Sequence, residues 1–450
     1  MARKDIDMLH GDVIMPMIKF MLPLAFTSVM QQLFNTADVL VLGRFVGTMA
    51  LAAVGNNSPV IGVLVSLFLG ISLGANVIIA RYIGAGDFYR ITRGVHTAFF
   101  IAIVLGIVLA IVGELLATDV LLALGVPSEV IPEAELYLRV YLLGIPAMSL
   151  YNFLSAIFRS RGDTATPLKA LVWASLMNVV LNLVAVTVFS FGVAGVALAT
   201  AVSNYLGAGI LLLALIKTHG ALRLVLSKVK PSAEQAKEIL KIGVPAGVQL
   251  IVFSLSNIVI QAAINSLGAN VMAASAAAFI IEINVYCFVI AFGQAATTFV
   301  SQNYGARQFA RCREIIRKGL MLGVAVTLAM SAAVCYNAEF IMHFFADDPE
   351  IIELGCVRVL YVVGFYVLYL TTDYLAGAIR GFGFSLGPAI LMLLTICGTR
   401  VLWIIVMFPL DKTFVNIMYS YPVSWGVTTI FLIFLYRFYR RELWNKFGHF

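Results

Sequence analysis

Long apolar runs separated by short polar loops recur from one end of this chain to the other. A helix of about 20 residues crosses roughly 30 Å of hydrocarbon, whereas membrane barrel strands show as shorter alternating segments. The runs therefore predict an all-α membrane protein with twelve transmembrane helices. These cover residues 14–42, 52–80, 94–117, 134–158, 167–190, 193–217, 240–266, 271–301, 316–338, 354–379, 386–409 and 415–437.

Composition agrees with that pattern. At 61% hydrophobic and 12% charged over 450 residues, the chain has too little polar surface to cover a water-soluble globule of its size. The net charge of +7 does not suggest nucleic acid, because the basic residues are spread over many short loops. Alternate loops and the two termini hold about 25 of the 30 Lys and Arg, while the opposite set is rich in acids, as in ELLATDVLLALGVPSEVIPEAE. The positive-inside bias then predicts a multi-pass protein of the cell membrane with both termini cytoplasmic. The apolar run after the N-terminus is too long for a signal peptide, so the first helix is expected to stay in the mature protein. The five cysteines have no paired spacing and read as free thiols.

The chain is also doubled. A shift of about 221 residues lays YIGAGDFYR over NYGARQFAR and NFLSAIFRSRGDTATP over DYLAGAIRGFGFSLGP, pairing Arg90 with Arg311, Arg159 with Arg380 and Pro167 with Pro388. Near the first helix the shift drifts by one, with Pro23 over Pro245. Six crossings per half give the halves the same orientation in the membrane. The expected organisation is an N-terminal six-helix lobe over 1–217, a cytoplasmic connector over 218–239 and a C-terminal six-helix lobe over 240–450, with a cleft between the lobes.

Few residues in such a chain can carry chemistry. Only three acids lie well inside the spans: Asp38, Glu282 and Asp373. A charged carboxylate at a helix centre costs about 2.5–3.5 kcal/mol on insertion scales, so each has to be explained. Asp38 ends a polar stripe of Thr27, Gln31, Asn35 and Asp38 on one face of the first helix. Asn178 and Asn182 in the fifth helix and Thr200 in the sixth are candidate partners for a carboxyl that alternately holds a proton or a cation such as Na+. The alternative for Asp38 is a hydrogen-bonding staple between helices.

In the second half Tyr361, Phe365, Tyr369 and Asp373 repeat every four residues, a pattern suited to an organic cation or simply to aromatic packing. Glu282, with Tyr286 one turn on, is a second acid of that half, and Asn257, Gln261 and Asn265 form another polar stripe. Arg139 and Arg358 are expected to snorkel to the interface or anchor a loop, and Arg400 to pair with an acid of its own half. There is no GxxxxGK[ST], no HExxH and no histidine cluster. The protein then reads as a non-enzyme without cofactor that is driven by an ion gradient or only equilibrates its substrate.

Across nearly its whole length the chain resembles the multidrug and toxic compound extrusion (MATE) family of cation-coupled antiporters. The resemblance rests on QQLFNTADVLVLGRFVGTMALAAVG, IGAGD, FRSRGDTATP, FGVAGVALATAVS, AFIIEINVY and FGQAATTFVSQNYGA taken together. It implies a V-shaped pair of six-helix bundles exchanging Na+ or H+ for lipophilic, often cationic, drugs by alternating access. Asp38 matches the first-helix acid that takes the coupling cation, with Asn178, Thr200, Asn182 and Asn35 around it. Asn182 departs from an Asp found in related pumps. Glu282 matches the eighth-helix acid, without the preceding Arg, and Asp373 the tenth-helix acid of one subgroup, whose seventh-helix Glu is replaced near Phe253. Asp373, Glu282, Tyr369, Phe365, Tyr286, Gln31, Asn257 and Gln261 are the expected substrate contacts. The partners expected are small organic cations and membrane lipids, with no nucleic acid, around a monomer. The other reading within the superfamily is a flippase for a lipid-linked saccharide precursor, which would call for several basic residues along the cleft.

Overall fold

The computed structural model describes residues 6–448, and these are almost entirely helical, with no strand among them. We number the spans α1 (Ile14–Phe45), α2 (Thr48–Ala85), α3 (Phe88–Ala123), α4 (Ile131–Leu142 and Ile145–Ser160), α5 (Ala165–Thr187), α6 (Gly192–Ile216), α7 (Ala233–Asn265), α8 (Ala269–Gly305), α9 (Phe309–Tyr336), α10 (Pro349–Val362 and Tyr366–Gly381), α11 (Leu386–Met407) and α12 (Phe414–Phe447). Among the described residues eleven of these are long and apolar enough to cross a membrane singly, and the two parts of α4, bent by 46°, make the twelfth. Six of the twelve helices overrun the predicted spans at both ends, because apolarity marks only the hydrocarbon-facing portion. The 38 residues of α2 extend about 57 Å at ~1.5 Å per residue, well past the bilayer core.

The duplication is visible in where helices begin. The starts at residues 48 and 269, 88 and 309, 145 and 366, and 165 and 386 are each 221 apart. The breaks within α4 and α10 correspond as well, and among the described residues α11 alone carries two five-residue π turns, Leu393–Cys397 and Trp403–Met407.

Two compact units result: Phe26–Gly243, and Ile6–Ala25 together with Val244 onward. α1 and α7 each contribute to both, changing membership within three residues of their internal prolines, Pro23 and Pro245. In the first unit the connector is stitched to α3: Thr92 donates to the Ala221 carbonyl, the Val225 amide to His96 Nε2 and the Ser232 amide to Thr97 Oγ1. Gly74 on α2 lies so close to α7 that a methyl there would run into the backbone of Ile239 and Gly243. Equivalent arginines fasten the lead-in to each half's first helix. Arg90 lies 3.8 Å from the Glu234 carboxylate at the start of α7, and Arg311, with 2.8–3.2 Å bonds, donates to the carbonyls of Met8, His10 and Gly11 ahead of α1.

Candidate functional site

In the first unit four polar side chains of α1, α5 and α6 form one hydrogen-bonded line. Asn178 and Asn182 lie one turn apart on the same face of α5. Asn182 Nδ2 donates to the Asp38 carboxylate and, at 3.1 Å, to Asn178 Oδ1; Asn178 donates to Thr200 Oγ1 at 3.2 Å, and Thr200 donates to the Val196 carbonyl at 3.0 Å. Both neighbours of Asn182 accept, so its amide must aim its N–H groups at them. Its own carbonyl oxygen, fully buried, is left without a donor. An unsatisfied buried acceptor costs about 1–3 kcal/mol, and it is oxygen chemistry of the kind a hard cation takes. Asp38 itself is half-buried, and Asn35 and Gln31, earlier on the same helix, are exposed and outside this line.

The acids of the second unit are held differently. Arg358 grips Glu282 through two 2.9 Å bonds, also donates to Ser275, and is itself buried, as is Glu282. The expectation that Arg358 snorkels is therefore corrected: a buried partner carboxylate across the helix interface outweighs the pull of the headgroups. Arg139 does stay partly exposed, paired with Glu114 and Glu135. Arg380 approaches Asp373 at 3.5 Å, and Asp373 presses against α8 at Gly293, where any side chain would collide with its carboxylate.

Aromatic rings gather beside these pairs. Tyr369 lies 5.3 Å from Tyr286, with a 3.0 Å hydroxyl contact, 5.5 Å from Trp425, 6.3 Å from Phe253 and 6.4 Å from Tyr366. The four-residue stripe does not run through α10, because the helix breaks at 363–365. Tyr361 is thereby turned to pair with Tyr419, and Phe365 is exposed at the start of the second segment. Asn257, Gln261 and Asn265 share an exposed face of α7, with Gln261 donating to Asn265 at 2.8 Å.

Two copies of one family's domain cover the chain: the MatE family model matches residues 23–184 and 245–408. The chain belongs to the MatE family. It is 30% identical over 393 residues to the "Probable multidrug resistance protein NorM" of Thermotoga maritima, covering 85% of this chain and 83% of that one. It is 26% identical over 435 residues to the "Probable multidrug resistance protein YoeA" of Bacillus subtilis, covering 95% and 93%. A solved structure described as the outward-facing conformation of a multidrug resistance MATE family transporter superposes with a TM-score of 0.88 at 22% identity, over 98% of this chain and all of that one.

Within this MatE fold, reading the spans one by one misses three members of the aromatic cluster, Tyr366, Phe253 and Trp425. Trp425 carried a usable signal, being a tryptophan in mid-span with Ser424 beside it. Arg400 is also placed otherwise than expected. Its bonds go to Asn257 Oδ1 at 2.9 Å and Ser424 Oγ at 3.3 Å, and no acid among the described residues pairs with it. Glu282 and Asp373, the two acids well inside the spans of this half, are already taken by Arg358 and Arg380.

Proposed function

We propose that this MatE-family protein is a secondary antiporter that exports lipophilic drugs, cationic ones included, in exchange for Na+ or H+ by alternating access. The observation that carries the reading is the line from Asp38 through Asn182 and Asn178 to Thr200, within which the buried Asn182 carbonyl oxygen is left without a donor. A proton on Asp38, or a Na+ shared between that carboxylate and Asn182 Oδ1, would complete it, so the site is suited to binding and releasing a cation. The names of the NorM and YoeA relatives supply the substrate class. The aromatic set around Tyr286, Tyr369 and Trp425 offers the broad apolar faces that drugs need, and a cation would meet ring faces there, since both carboxylates already have arginine partners. In this reading the protein works as a monomer in the cell membrane with both termini cytoplasmic, following the charge bias of its loops. A lipid-linked saccharide flippase is less well supported, because among the described arginines Arg358, Arg380 and Arg400 of the second unit the first two are occupied, which leaves one for a pyrophosphate. The deciding experiment is ethidium efflux from reconstituted vesicles under an imposed Na+ or pH gradient. Efflux that responds to neither gradient would reject antiport.

A further inference from the structure

The second unit holds two membrane-embedded acids, Glu282 and Asp373, and three arginines, Arg358, Arg380 and Arg400. Two of the arginines are matched, and the remainder is one positive charge on Arg400. Arg400 is 1% exposed, and its Nη2 has no hydrogen-bond partner. Three rings surround it, with Tyr421, Phe253 and Trp425 centred 4.5, 5.2 and 5.7 Å from its central carbon. Cation–π attraction softens the burial of a charge but does not replace a counter-ion, and a Met or Leu would fill the same space without the penalty.

Two further features bear on Arg400. It sits in a five-residue α-helical segment between the two π turns of α11, a distortion that tends to occur where helices carry function. And its acceptor Asn257 lies on the exposed polar face of α7, so the guanidinium is one side chain away from the surface of its unit.

We propose that Arg400 is the anchor of an oxyanion subsite: it binds the carboxylate of an aromatic, otherwise lipophilic substrate through Nη1 and Nη2. Asn257 holds Nη1 until the ligand arrives, and the substrate's ring system stacks within the Tyr421, Trp425 and Phe253 cluster. Arg is the residue suited to this, because its planar fork matches a carboxylate bidentately. The proposal rests on the drug-export reading and narrows it, adding acidic and zwitterionic aromatics to the substrates.

The test uses purified protein in nanodiscs and a matched pair of probes, dansylglycine and its methyl ester, followed by fluorescence. The wild type is expected to bind the acid about ten- to a hundredfold more tightly than the ester, the worth of a charged hydrogen-bonded pair. In Arg400→Met the ratio should fall to about one, and in Arg400→Lys to an intermediate value. Equal binding of both probes by the wild type, or a preference that survives Arg400→Met, overturns the proposal. Should Arg400→Met fail to fold, Asn257→Ala decides: freeing Nη1 should raise the acid-to-ester ratio, and an unchanged or lower ratio counts against the subsite. Ethidium efflux in the same preparation separates the two levels. Efflux without acid preference sinks only the Arg400 subsite, whereas no efflux and no binding of either probe removes the export reading and the subsite with it.

Discussion

Arg358 and Glu282 are joined by two parallel N–H···O bonds of 2.9 Å, with both side chains buried between α8 and α10. Tyr366 donates to the Glu282 carbonyl at 3.2 Å, so the ion pair is tied to the edge of the aromatic cluster. A carboxylate so fully used is not free to meet a substrate cation, and its first role is to neutralise Arg358.

Glu282→Gln should therefore act on stability before it acts on affinity. It strands a buried guanidinium, a change that costs about 3–5 kcal/mol, whereas removing both charges together is close to neutral. Thermal unfolding in detergent should show Glu282→Gln strongly destabilised, with the double variant Glu282→Gln, Arg358→Met recovering much of the loss. A single variant as stable as wild type but weakened toward ethidium would instead make Glu282 a substrate contact.

Asp38→Asn should abolish gradient-driven efflux while leaving the protein folded. The amide oxygen still accepts from Asn182, so packing and hydrogen bonding persist, but a neutral group cannot compensate a bound cation. Efflux at the wild-type rate from vesicles carrying the variant would contradict this.

How far these sites could be seen beforehand depends on what kind of information each needs. The members of the line from Asp38 to Thr200 were legible because Asp38 is the one carboxylate inside α1 and Asn178 and Asn182 stand one turn apart on α5. The duplication was legible because equivalent loops keep equivalent residues, down to Arg90 and Arg311. The pairings of Arg358 and Arg380 were not, since which helix faces meet is a property of packing. The stripe from Tyr361 to Asp373 failed for a local reason: period-four reasoning assumes an unbroken helix, and α10 is interrupted at 363–365. Nothing in the residues Leu393–Cys397 marks a π turn, so the setting of Arg400 was hidden too.

Outside the membrane, Asp163 gives a pH-dependent contribution with a definite sign. Burial raises its pKa, but the Thr166 hydroxyl and amide and the Arg161 guanidinium outweigh that and hold it below the usual 3.8. A depressed folded-state value means the stabilisation is present above about pH 4 and is lost as pH falls through the lower folded value. Asp163→Asn should then cost about 1–2 kcal/mol at pH 7, the difference between charged and neutral acceptors. Unfolding midpoints of variant and wild type should converge as pH falls through that lower folded value. A gap that stays constant down to pH 3 would assign the effect to shape and not to charge.

If Asp38 and the drug site favour different conformations, the two ligands must oppose each other. A ligand shifts a conformational equilibrium only by its difference in affinity for the two states, and linkage makes the effect reciprocal. The coupling ion should weaken ethidium binding by the same factor by which ethidium weakens ion binding, about 5- to 150-fold for coupling energies of the usual size. Asp38→Asn should erase that dependence, because the first-unit line then has no charge for the ion to answer. Its intrinsic affinity for ethidium should change far less, since the aromatic rings of the second unit are untouched. Titrations of labelled ethidium at several Na+ concentrations and pH values, on wild type and variant, measure both quantities. Wild-type affinity indifferent to both ions would leave Asp38 as a structural staple, and Asn182 as the residue it holds in place.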